Sequence, residues 1–169
     1  MWVTYLGQNS RGFSFSANLF LAHADNHVDV QQGGTQYDAD VTMRKSVKGN
    51  GFYAIDLALE HRDAVRRDYS YSQASFRLSR QVDLRGGYSV NASVYGEWFL
   101  QGAPTPGFAV RRVGHEYGFA VSVEKTNKIL LNRYIPYVSF RASRHNSSIS
   151  AFAFAFRDIG MQVGVQSLF

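Results

Sequence analysis

The stretch Ile159-Gly-Met-Gln-Val-Gly-Val-Gln-Ser-Leu-Phe169 decides the reading of this chain. It puts Ile159, Met161, Val163, Val165 and Phe169 on one face, and Gly160, Gln162, Gly164 and Gln166 on the other. Side chains of a strand alternate between two faces, so a period of two with one apolar and one polar or small face predicts a half-buried β-strand.

The same alternation recurs upstream. Phe13, Phe15, Ala17, Leu19 and Leu21 oppose Ser14, Ser16 and Asn18, and Tyr37, Ala39, Val41 and Met43 oppose Asp38, Asp40, Thr42 and Arg44. Tyr53, Ile55, Leu57 and Leu59 oppose Asp56 and Glu60, while a weaker set, Ala74, Phe76 and Leu78, opposes Gln73, Ser75 and Arg77. Tyr88 to Trp98, Tyr117 to Val123 and Pro136 to Ala142 continue the pattern. With the closing stretch this makes about eight strands, and the apolar Trp2 to Leu6 before the turn Asn9-Ser-Arg-Gly12 adds a partial ninth at the N-terminus.

Composition narrows the class. The 169 residues suit one compact domain, 1–169, or part of a larger one. Aromatics at 15%, with 15 Gly and only 3 Pro, favour strands joined by turns over helices. Cysteine is absent, which permits an envelope location without requiring it. The mean hydropathy of −0.24 and the lack of an apolar run near the roughly 20 residues of a spanning helix exclude a helical membrane protein. A spanning barrel stays open, because only alternate residues face lipid. The net charge of +5 is scattered along the chain and not gathered into a stripe, so nucleic-acid binding is not expected.

These features together predict an all-β protein, an antiparallel up-and-down transmembrane β-barrel in the bacterial outer membrane. In such proteins a terminal aromatic in phase with the last strand resembles the signal read by the barrel-assembly machinery, which makes Phe169 the expected assembly signal and that machinery an expected partner beside outer-membrane lipid. Met1 to Leu6 has neither the basic nor the apolar region of a signal peptide. An odd strand count where even counts are usual points the same way: the chain is expected to be the C-terminal part of a longer barrel protein.

Placing Phe169 at the periplasmic rim assigns each connection to a side. Tight turns are then expected at Lys48-Gly-Asn-Gly51 and Asp83 to Gly87 and a less tidy one at Thr126 to Asn132, with longer external loops at Asp25 to Gln36, Leu100 to Gly114 and Arg144 to Ala151. Tyr88 and Trp98 share a face ten positions apart, about 23 Å along the membrane normal for a strand tilted about 45°. That matches the apolar band between aromatic girdles. Tyr37 and Tyr117 join Trp98 in the outer girdle, and Tyr53 joins Tyr88 in the inner one.

The opposite face collects Asp38, Asp40, Arg44, Asp56, Glu60, Arg62, Arg77, Glu97, Glu124 and Arg141. Both signs occur, so a structural lumen network is expected over a single-sign selectivity ring. His23 and His27 with Asp25 and Asp29 are better explained as a solvated loop than as a metal site, which needs about four converging ligands. No nucleophile motif or phosphate-cradling glycine loop occurs. Neither catalysis nor a cofactor is expected.

Three C-terminal stretches resemble the barrel end of surface lipoprotein assembly modulators: Gly114 to Lys125, then Tyr134-Ile-Pro-Tyr-Val-Ser-Phe-Arg141 with Arg144-His-Asn-Ser-Ser148, and Phe156-Arg-Asp-Ile-Gly-Met-Gln-Val-Gly-Val165. In that family a Pro opens the penultimate strand, a Ser-Asn loop follows and an Arg precedes the closing strand. Pro136, Asn146 to Ser148 and Arg157 stand in those places. The resemblance implies a role in delivering lipoproteins to the cell surface, with a lipoprotein client as partner. Family members carry a periplasmic helical-repeat domain before a larger barrel, and this chain shows no such repeat, so the barrel portion alone is implied. The alternatives are a self-contained small barrel with a structural or porin-like role, and a soluble lipocalin-type barrel whose apolar face turns inward.

Overall fold

The computed structural model describes residues 1–9, 11–24, 33–104, 107, 109–127, 134–149 and 156–167. Among them it holds nine antiparallel strands and no helix: β1 (Trp2–Gln8), β2 (Phe13–Ala24), β3 (Gly34–Ser46), β4 (Phe52–Ala64), β5 (Tyr71–Leu84), β6 (Tyr88–Gln101), β7 (Val113–Lys125), β8 (Tyr134–Ser147) and β9 (Phe156–Ser167). Each pairs only with its neighbours in sequence, in one up-and-down sheet ordered β1 to β9. No ladder joins β1 to β9 among the described residues.

The ends of the sheet differ. At one end Asn9 Oδ1 accepts from the amides of Arg11 and Phe13 at 3.0 and 3.1 Å, closing the β1–β2 turn. The β3–β4 turn closes through Val47 N to Gly51 O and Asn50 N to Val47 O, both 2.9 Å. Gly49 and Gly51 there adopt φ of 69° and 79°, left-handed values that glycine reaches without steric cost. This is the turn end, and the β4–β5 and β6–β7 connections lie at the opposite, loop end.

The strands outrun the expected loop boundaries. β3 begins at Gly34, β7 at Val113, and β8 continues to Ser147, where Gly114 pairs with Ser147 and His115 with Asn146. Hydropathic alternation stops at the girdle, but the ladder continues because backbone groups still find cross-strand partners there. The Leu100–Gly114 and Arg144–Ala151 loops are shorter by those residues.

Burial runs opposite to a soluble fold. On β4, Tyr53, Ile55, Leu57 and Leu59 are exposed, whereas Asp56, Ala58, Glu60 and Arg62 on the other face are half-buried and Ala54 is buried. Among the described residues no large side chain is fully buried, and the buried apolar ones are Ala54, Ala64, Ile135 and Ile149. On β4, and likewise on β6 and β7, the more sheltered face is the polar face. A lipocalin-type barrel would shelter the apolar one instead.

Candidate functional site

The register gives every expected polar residue one shared face: Asp38, Asp40, Arg44, Asp56, Glu60, Arg62, Arg77, Glu97, Glu124 and Arg141 alternate with the apolar positions on β3 to β8. Asp83, Glu116 and Asp158 join them, making nine carboxylates against four arginines on this face among the described strands. The apolar face carries Lys45, Arg80, Lys125, Arg144 and Arg157 against Asp63. The basic excess of the whole chain therefore conceals an acidic face backed by a basic one.

Neutral donors hold much of the acidic face. Asn18 donates to Asp40 at 2.6 Å, Thr42 to Asp56 at 2.7 Å, Gln36 to both Asp38 and Glu60 at 3.1 Å, and the Tyr71 hydroxyl to Glu60. The Arg44 guanidinium lies 3.3 Å from the centre of the Phe52 ring, and Arg77 lies 5.9 Å from that of Tyr95. A groove of about 240 Å³ runs across β3 to β6 between Asp40, Asp56, Arg77 and Glu97.

Ion pairing on this face converges on Glu116, which the sequence reading left out. Arg141 donates to Glu116 at 2.8 Å and to the Tyr95 hydroxyl at 2.7 Å, Tyr95 donates to Glu116 at 3.2 Å, and His145 Nδ1 lies 3.7 Å from it. Gly118 makes the arrangement possible, since a Cβ there would sit 2.7 Å from the Tyr95 hydroxyl oxygen. Glu116 precedes Tyr117, where the apolar alternation begins. Extending the parity by one pair would have found it.

The expected girdle residues Tyr37, Tyr53, Tyr88, Trp98 and Tyr117 are all exposed on the apolar face. Toward the turn end each cation of that face lies against an aromatic ring: Lys45 at 4.8 Å from Phe13, Arg80 at 4.1 Å from Tyr53, and Lys125 at 3.5 Å from Tyr88. Toward the loop end Tyr37 lies 6.1 Å from His61, and the Tyr117 ring stacks on His115 at 6.4 Å. The apolar face also carries a groove of about 710 Å³ across β2 to β7, with Leu19, Tyr37, Leu59 and Trp98 among its walls.

From β3 to β7 the two belts slip by the same amount and in the same direction. The ladder from Lys45 runs through Tyr53, Arg80 and Ala92 to Val121, four positions short of Lys125. From Tyr37 it runs through His61, Ser72 and Leu100 to Val113, again four positions short of Tyr117 and in the same direction. A slip of about 13 Å across about 19 Å of strand spacing is a slope of about 35°. Eight positions separate the belts on both β3 and β7, about 22 Å measured across the belts at that slope.

At the loop end the short β4–β5 connection is stapled down. Arg66 pairs with Asp68, the Ala64 amide donates to Ser70 Oγ at 2.9 Å, Gln101 Nε2 donates to the Asp68 carbonyl at 2.5 Å, and the Gly102 amide donates to Ser70 O at 2.7 Å. The hydrogen bond from Arg66 holds the Asp68 carboxyl below the ordinary aspartate value.

Among the described residues no group of three His, Cys, Asp or Glu side chains gathers for a metal, and His23 lies 2.9 Å from Thr35 Oγ1. Asp25, His27, Asp29 and the expected assembly signal Phe169 lie outside the described residues. No helix of the described chain is long and apolar enough to cross a membrane, which leaves crossing by strands open. Set against family models, curated proteins and solved structures, the chain finds no match.

Proposed function

We propose that this chain is a membrane-spanning barrel portion in the bacterial outer membrane, serving the delivery or display of lipoproteins in the manner of a surface lipoprotein assembly modulator, and not an enzyme. One observation carries the membrane part of the reading: exposed apolar side chains and two aromatic belts share one face, while nine carboxylates and four arginines share the other, which is the more sheltered one on β4, β6 and β7. The belt slope of about 35° and spacing of about 22 Å agree with the strand tilt and apolar height of spanning barrels. Strands of 12 to 14 residues from β2 to β9 exceed the roughly 9–11 needed to cross.

The lipoprotein part rests on the three C-terminal stretches. In this reading the apolar face holds the wall in lipid. The polar face and the seam between β1 and β9 receive a client chain. Fusion to a signal peptide, followed by outer-membrane fractionation and comparison of gel migration with and without boiling, tests the membrane part. A soluble periplasmic product would end it. Loss of a surface-exposed reporter lipoprotein on deletion of the gene tests the delivery part, and unchanged display would refute it.

A small-pore role is the second reading, favoured by the nine carboxylates on the polar face. Cation-selective conductance in planar bilayers would support it.

A further inference from the structure

Arg144 of β8 and Arg157 of β9 are direct cross-strand partners on the apolar face, and both are exposed. Like charges placed opposite one another destabilise a sheet. No carboxylate among the described residues forms an ion pair with either; Arg144 Nε donates to Asn146 Oδ1 at 3.3 Å. The nearest acid in sequence, Asp158, points to the other face by the period of two. Across β7, Arg144 pairs with Tyr117 of the loop-end belt.

Arg144 and Arg157 wall a groove of about 230 Å³ together with Tyr117 and, toward the turn end, Phe119, Ala142 and Ile159. Phe119 packs on Phe140 at 5.8 Å, and Ile159 is 72% exposed, so the groove continues into open apolar surface. Two cations beside an apolar trough match an amphiphile with an anionic head and a hydrocarbon tail. Guanidinium forks fit phosphate oxygens in paired hydrogen bonds, and an anion between the arginines would turn their repulsion into attraction.

We infer that Arg144 and Arg157 form a subsite for an anionic, phosphate-bearing lipid, the phosphate between the guanidinium groups and an acyl chain along Phe119 and Ile159. The inference rests on the reading of this face as lipid-facing. It adds a specific lipid site to it.

The test uses the full chain folded in zwitterionic detergent, with native mass spectrometry reading the first lipid bound from phosphatidic acid or phosphatidylcholine. Preference for phosphatidic acid of at least about fivefold is expected, the value of about one interfacial cation. It should fall to near unity in R144Q/R157Q and in each single glutamine variant, and persist in K45Q/K125Q, which alters the opposite belt. Equal losses in both double variants would reveal general charge attraction and overturn the site. Displacement of the lipid by millimolar inorganic phosphate would assign the pair to free anions and overturn it too. Gel migration that shifts on boiling, with no lipid preference, sinks this inference alone; migration without any shift sinks the membrane reading with it.

Discussion

Lys125 lies 3.5 Å from the centre of the Tyr88 ring, its direct partner across β6 and β7, and its ammonium also donates to the Gly86 carbonyl at 2.6 Å. The contact joins the turn-end belt to the β5–β6 turn beneath it. Lys125→Met keeps the apolar stem and removes the charge. Loss of about 0.5–1 kcal/mol is expected, the range for an exposed cation over a ring, read from urea unfolding in phospholipid vesicles. No change would mean that the belt pairs are incidental.

Leu57 stands midway between Tyr53 and His61 on the apolar face, while its neighbour Ala58 lies on the polar face. Leu57→Arg should cost about 2–4 kcal/mol in vesicles, as for a cation at the bilayer midplane. Ala58→Arg should cost clearly less. The reverse order in urea midpoints would invert the assignment of the two faces.

Gly49 and Gly51 both hold left-handed backbone, but a Cβ on Gly49 meets open space whereas one on Gly51 would sit 2.2 Å from the Gln81 carbonyl oxygen. Gly49→Ala is expected to cost about 1 kcal/mol, for conformation alone. Gly51→Ala should cost more, because the β3–β4 turn must move away from β5. Equal midpoints for the two variants would show that the turn yields freely.

Asp68 has its folded pKa depressed by Arg66, so its contribution is complete above the ordinary aspartate value and is lost as pH falls through the lowered one. Hydrogen exchange at the Gly102 amide, which donates to Ser70 within the same staple, should accelerate over that acid window beyond the intrinsic pH trend. Asp68→Asn should abolish this acid limb. Its persistence in the variant would shift the cause to another group.

Much of the sheet was readable from residue types. The strands Phe13 to Leu21 and Tyr37 to Met43 announce themselves because one face must be apolar and the other polar, and a period of two leaves a single assignment of residues to faces. Strand ends were less readable: His115 paired with Asn146 carries no hydropathic contrast, and only backbone pairing extends the ladder there. Glu116 escaped for that reason. The staple around Asp68 was hidden because Gln101 reaches it from 33 residues away.

Alternation by itself determined which residues share a face, and so the all-β class, the aromatic residues expected in the girdles and most of the polar set. It left open which face is sheltered, how far each ladder slips and which charges meet. Those depend on register between strands, a long-range property that local composition does not encode. Only once the ladders align do Lys45 and Lys125 fall on one oblique belt, Arg141 reach Glu116, and Arg144 stand opposite Arg157.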